Sequence, residues 1–183
     1  MSLRFDGVRL RQGEFRLSAD LEVPAGAVVA VIGPSGGGKS TLLSAVAGFL
    51  APEAGRILWD GADLAGRGPA DRPASLLFQD NNLFPHLTVA QNVGLGLAPR
   101  LRLSEEERGR VEAALARVGL DGLGGRRPGA LSGGQQSRAG LARVLVSGRP
   151  LVLRDEPFGA LGPGLRDEML DLVAEVLGGA GRT

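Results

Sequence analysis

Nine residues carry the chemistry first visible in this chain: Gly33-Pro34-Ser35-Gly36-Gly37-Gly38-Lys39-Ser40-Thr41. Gly33 and Gly38 stand at the separation of a phosphate-binding loop, and Lys39-Ser40 completes G-x-x-x-x-G-K-S. The residue types follow from the task. Backbone N–H groups must point inward around the α- and β-phosphates, and only glycine lets the chain curl that tightly and approach that closely. Lys39 then reaches the β/γ-phosphates as a point charge, Ser40 is placed to ligate Mg²⁺, and the helix that follows offers its positive N-terminus to the anion. A chance match in a chain with 30 glycines is the competing explanation. Composition argues against it: Lys39 is the only lysine, and the other basic residues are all arginine. A compact ammonium has been kept where arginine's planar fork would not replace it.

The elements that must position this loop can be read on either side of it. Val28-Val29-Ala30-Val31-Ile32 reads as a strand entering the loop, and Thr41 to Ala47 as a helix leaving it and stopped by Gly48. Leu3 to Leu10 and Phe15 to Val23 alternate apolar and polar residues, which predicts two antiparallel strands in a small β-lobe beside the nucleotide. Gly55 to Gly61 predicts a strand ending in an Asp-Gly turn, and Ala74 to Phe78 a buried strand followed at once by Gln79. The texture changes from Asn81 to about Gly129. There Ser104-Glu105-Glu106-Glu107 is a capping box that opens a helix through Val111, Leu115 and Val118, with Gly119 as its stop. Leu131-Ser132-Gly133-Gly134-Gln135-Gln136 is a glycine turn opening a helix from Gln135 to Val146. Leu151-Val152-Leu153 is a short buried strand running into Arg154-Asp155-Glu156-Pro157, and a last helix spans about Leu165 to Leu177.

Composition bounds the rest. The 183 residues suffice for one domain with a substantial core. The net charge of +1, with both signs interspersed, argues against a nucleic-acid partner. The absence of cysteine excludes disulfides, thiolate chemistry and cysteine metal sites. Met1-Ser2-Leu3-Arg4-Phe5-Asp6 is too charged for a signal peptide, and no apolar run reaches bilayer length, so any membrane role is expected to be peripheral.

Four ordered motifs, the phosphate loop, Gln79, Leu131-Ser132-Gly133-Gly134-Gln135 and Asp155-Glu156, together resemble the ATP-binding subunits of ABC transporters over essentially the whole chain. Within that family the segment from Leu77 to Leu97 is most similar to the ATPases of thiamine importers. The resemblance implies an α/β fold, a P-loop NTPase (ABC ATPase) core with a small antiparallel β-lobe and an inserted α-helical subdomain. A single domain would cover residues 1–183, with the insertion at about 81–129 continuing into a signature helix over 132–146. It implies that ATP is held by Gly33 to Thr41, and Mg²⁺ by Ser40, Gln79 and Asp155. Glu156 would polarise the attacking water, with Gln79 as a hinge that feels the γ-phosphate. Ser132, Gly133, Gly134 and Gln135 would form a second anion site that closes over the nucleotide of the other subunit in a head-to-tail homodimer. The implied activity is ATP hydrolysis driving import of thiamine or its phosphates. The implied partners are a transmembrane permease subunit and, indirectly, a substrate-binding protein, at the cytoplasmic face of the inner membrane. A nucleotide-binding module without productive hydrolysis is the alternative; a DNA-repair ATPase is more distant, because the long coiled-coil insertion of that class is missing.

The sequence departs from the family pattern in several places. Arg154 stands where an apolar residue usually precedes the metal-binding acid, and Gly162 where the dimer-contact loop has an aspartate. Gln136-Ser137 replaces the commoner Arg-Gln. Gln12 or Arg11 falls near the place of the aromatic that stacks on adenine. The switch histidine would follow Thr183, so the chain reads as truncated; His86, the only histidine, lies upstream and reads as a surface or partner-contact residue.

Overall fold

The computed structural model describes residues 2–77, 82–155 and 162–178, arranged as two compact units. The first comprises residues 2–76 and 150–155; the second comprises residue 77, 82–149 and 162–178.

The first unit is built on a hairpin. Strand β1 (Leu3–Gln12) turns through Gly13-Glu14 into β2 (Phe15–Val23), and the two pair antiparallel from Leu3 opposite Val23 to Gln12 opposite Phe15. A register shift between Phe5 and Val8 marks a bulge, at which Gly7 adopts φ 57°. On the other edge of β1 lies β3 (Ala54–Trp59), followed by the two-residue β4 (Ala62–Asp63), so the sheet order is β2-β1-β3-β4. The Asp60-Gly61 turn between β3 and β4 has positive φ at both residues, as a two-residue hairpin turn requires. At the bulge, Gly55 passes so close to Gly7 that a Cβ would lie 2.3 Å from the Gly7 carbonyl oxygen, so only glycine fits.

Helix α1 (Lys39–Ala47) ends at Gly48, whose left-handed φ of 88° closes the C-cap onto the Ala45 and Ser44 carbonyls. Its buried residues Leu42, Ala45 and Val46 enter a core with Leu3, Phe5, Val8, Leu10, Ile57, Trp59 and Leu64. To this core β6 (Leu151–Arg154), paired with β5 (Ala74–Leu77), adds Leu151 and Leu153. The alternation along β1 is what delivers Leu3, Phe5, Val8 and Leu10 to one face while Arg4 and Arg9 face water.

The expected strand Val28–Ile32 is not formed. Residues 27–32 carry no strand assignment, and Val28 and Ile32 are 85% and 92% exposed. A β-branched run becomes a strand only when a neighbour supplies ladder hydrogen bonds, and among the described residues β5 and β6 pair with each other instead.

The second unit is helical: α2 (Val89–Gly94), α3 (Glu105–Arg117), α4 (Gly133–Ser147) and α5 (Pro163–Gly178). Helix α4 is the centre, touching each of the other three, and it buries Ala139, Leu141, Ala142, Val144 and Leu145. It begins at Gly133, two residues before the expected start, because Ser132 rather than Gly134 is the N-cap. The starts of α2, α3 and α4 follow one rule. Thr88 with Gln91, Ser104 with Glu107 and Ser132 with Gln135 each form a reciprocal capping box, worth about 1 kcal/mol apiece. In α3 the acidic residues 105–107 fill the first turn and Arg117 the last, both favourable to the helix dipole.

Asn92, fully buried, ties the loop before α2 to that helix. Its Nδ2 donates to the carbonyls of Phe84, Leu87 and Thr88, and its Oδ1 accepts from the Phe84 N–H at 2.7 Å. Replacing it strands several backbone groups away from water. Asn92→Ala is therefore expected to lower the unfolding free energy by about 2–3 kcal/mol, read from urea denaturation.

Candidate functional site

The phosphate loop lies between the exposed segment 28–32 and α1. Gly36 and Gly38 adopt φ of 76° and 86°, left-handed conformations that glycine takes at no steric cost and that let the backbone curl tightly here. A Cβ on Gly33 or Gly36 would meet nothing within 4 Å, whereas one on Gly37 would lie 2.9 Å from the Pro34 carbonyl oxygen. The Gly37 N–H donates to that same carbonyl at 3.0 Å, closing the turn. Lys39 folds back across it: its Nζ donates to the Gly33 carbonyl at 3.0 Å and to the Pro34 carbonyl at 2.9 Å. The ammonium is thereby held against the loop rather than extended into water.

The start of α1 differs from the other helix starts in a way that matters chemically. Its N-cap is Gly38, no side chain caps it, and no acidic residue lies in its first turn. The N–H groups of its first turn therefore lack the side-chain acceptors that satisfy α2, α3 and α4. Open space over Gly33 and Gly36, unanswered N–H donors, the positive end of a helix and one ammonium form a cradle that fits a polyphosphate. Ser40 is exposed at the same helix start, where its hydroxyl can reach a cation on the phosphates.

Asp155 follows the end of β6 in the same unit, half-buried, directly after Arg154. Burial holds the Arg154 guanidinium below its ordinary pKa, so this departure from an apolar residue carries a desolvation cost that its long stem partly offsets. Among the described residues no group of three or more His, Cys, Asp or Glu is placed to hold a metal. A cation here would be held in the manner usual for Mg²⁺, by one or two protein oxygens together with the phosphates themselves. Gln79 and Glu156 lie outside the described residues.

The second glycine motif sits at the start of α4. Ser132 Oγ accepts from Gln135 N at 3.3 Å, and Gln135 Oε1 accepts from Ser132 N at 3.0 Å. This occupies one lone pair of the hydroxyl and leaves its proton free to be donated, while the N–H groups of Gly133 and Gly134 have no partner within the helix. Gly134 is buried, and a Cβ there would meet Leu165 of α5 at 3.2 Å; Gly133 and Ser132 are exposed. Gln136, one of the departures from pattern, donates from its side chain to the carbonyls of Pro128 and Leu131, bracing the turn before the helix. Gly162 directly precedes α5, and its carbonyl accepts from the Arg166 N–H at 3.0 Å, opening the first turn of that helix.

The family model described as ABC transporter matches residues 17–159 of this chain. The chain belongs to that family. As an ABC ATPase domain of the P-loop NTPase fold it is similar to curated relatives over nearly its whole length. It is 60% identical to the thiamine import ATP-binding protein of Cereibacter sphaeroides over 181 residues, 99% of this chain and 78% of that relative. It is 59% identical to the protein of the same name in Ruegeria sp., over 95% of this chain and 75% of the relative. With that of Jannaschia sp. it shares 56% identity, over 99% and 79%. Among the described residues of this ABC family member, no helix is long and apolar enough to cross a membrane.

Because Lys39 supplies the only ammonium of the loop, Lys39→Ala is expected to abolish the heat of Mg-ATP binding in titration calorimetry. Unchanged affinity would dissociate this loop from nucleotide binding.

Proposed function

We propose that this chain is the ATP-binding, ATP-hydrolysing subunit of an importer for thiamine or its phosphates. The observation that carries the nucleotide site is the side-chain-uncapped start of α1, with Lys39 held over a glycine turn. The substrate assignment is supported by the likeness to thiamine import ATP-binding proteins.

Gly33 to Thr41 receive the phosphates of ATP, with backbone N–H groups around the α- and β-phosphates and Lys39 towards the β/γ pair. Ser40, Gln79 and Asp155 are the residues that hold Mg²⁺, which when bound neutralises charge on the phosphate oxygens. Glu156 orients and polarises the attacking water as general base. Ser132, Gly133, Gly134 and Gln135 offer a hydroxyl proton and free N–H groups to the γ-phosphate held by a second copy, in a head-to-tail homodimer. One subunit has two anion cradles and one ATP needs only a single nucleotide-holding loop, which favours that arrangement. Docking to a transmembrane permease subunit, itself served by a substrate-binding protein, would hold the dimer peripherally at the cytoplasmic face of the inner membrane.

The loop before α2 supports a docking role on the second unit. Phe84 is 48% exposed and meets His86 edge-on with ring centroids 5.9 Å apart, while Asn92 clamps the backbone beneath them. Val89, by contrast, is fully buried and belongs to the core of the unit. An exposed aromatic on a clamped loop suits an apolar groove that receives a short helix.

Two outcomes check this reading. Glu156→Gln should keep ATP affinity and lower turnover roughly a hundred-fold in the assembled transporter, as expected for loss of a positioned base; an equal loss of binding would put Glu156 on the metal. Phe84→Ala should uncouple transport in vesicle uptake while the subunit still binds ATP. Intact uptake and co-purification with the permease would locate the docking surface elsewhere.

A further inference from the structure

The free end of the β1–β2 hairpin touches the phosphate loop on both sides of Lys39. Gln12 and Phe15 are the last ladder pair of the hairpin, facing each other across the Gly13-Glu14 turn. From this pair, the Phe15 ring lies over Gly38 so closely that a Cβ built there would sit 2.7 Å from Cζ and 2.8 Å from Cε1. Leu17, two residues along β2, is 3.6 Å from the same point. Gln12 takes the other side: Thr41 Oγ1 donates to Gln12 Oε1 at 3.1 Å. Lys39 and Ser40 are thus bracketed by two contacts that originate in one pair of cross-strand neighbours.

The geometry points to Phe15 and Gln12 as positioning residues that pre-organise the phosphate loop for its anion. This rests on the reading of Gly33 to Thr41 as a phosphate site. Three consecutive glycines, Gly36 to Gly38, have more backbone freedom to lose than any other residues, and ordering them on binding would reduce affinity. A ring seated where Gly38 has no side chain restrains that residue at its left-handed φ before a ligand arrives. The Gln12–Thr41 hydrogen bond fixes the rotation of the first helical turn, and with it the direction of the unpaired N–H groups. Phe15 is half-buried and Gln12 exposed, so neither is needed to fill the core.

The test uses the full chain and two probes, Mg-ATP and Mg-tripolyphosphate, the second having phosphates but no base. Phe15→Ala is expected to weaken both probes by the same factor, about ten-fold, and Phe15→Leu, which keeps an apolar group over Gly38, to restore most of both. Gln12→Ala should weaken both by about three-fold, the loss of one exposed hydrogen bond. Thermal unfolding reports whether each variant folds; should Phe15→Ala not fold, Phe15→Leu and Gln12→Ala decide by the same comparison. Loss of ATP affinity with tripolyphosphate unaffected would overturn the proposal and assign the ring to the base. Unchanged binding of both probes in all three variants would overturn it as well, leaving the phosphate site intact. A wild-type chain that binds neither probe would remove the phosphate site and the brace together.

Discussion

Burial of one face of α1 is the constraint on which the nucleotide site depends. Leu42, Ala45 and Val46 commit the helix to the core beneath β1 and β6, and once that face is fixed the helix axis, and so the direction of its N-terminal N–H groups, is fixed too. Leu42 and Val46 each contribute about 1.5–3 kcal/mol when buried, far more than the few tenths at stake in a glycine N-cap. The loop can therefore leave its donors without side-chain acceptors, because the helix behind it is held by packing rather than by its cap. The glycines supply curvature; the apolar face of α1 supplies aim.

The helical unit resolves the same problem in the opposite way. Its three capping boxes at Thr88, Ser104 and Ser132 satisfy first-turn donors locally, so those starts depend less on their surroundings. Ser132 is the instructive case, since a single side chain both caps α4 and keeps a proton to donate. Further along α4, Arg138 donates to the Val118 carbonyl just beyond α3 and pairs with Glu168 of α5, so the helix that begins at the second glycine motif is tied at mid-length to both neighbours. Displacement of one end of α4 would be felt through those ties, which gives the motif a rigid lever rather than a loose turn.

What could be read from the sequence was local. The hairpin, the Gly48 stop, the Ser104 capping box and the Asp60-Gly61 turn depend on residues within a few positions of one another, and each is found as expected. The failures share a different cause. Val28 to Ile32 has strand composition, but a strand is made by its partner, and partner choice is not encoded in a five-residue window. Asn92 carries no chemical signal of its own in the sequence; its role comes from folding a loop back over it, and the Thr88-to-Gln91 box just before it is the available signal. Phe15 reads as a strand residue, and nothing in its spacing announces that its ring will reach Gly38; only the two-residue turn, which brings Gln12 opposite Phe15, could have suggested it.

The run from Ala27 to Ile32 has a consequence for the chain handled by itself. Six consecutive uncharged residues, four of them β-branched and none of them proline, leave Val28, Val29, Val31 and Ile32 open to water. This is the composition from which intermolecular sheets grow, because the unpaired backbone N–H and C=O groups of one molecule match those of the next. The nearest charges, Glu22 and Lys39, are too far along the chain to act as gatekeepers. The segment that leads into the phosphate loop therefore has the composition for intermolecular pairing, and whatever covers it acts as a solubiliser as well as a structural neighbour.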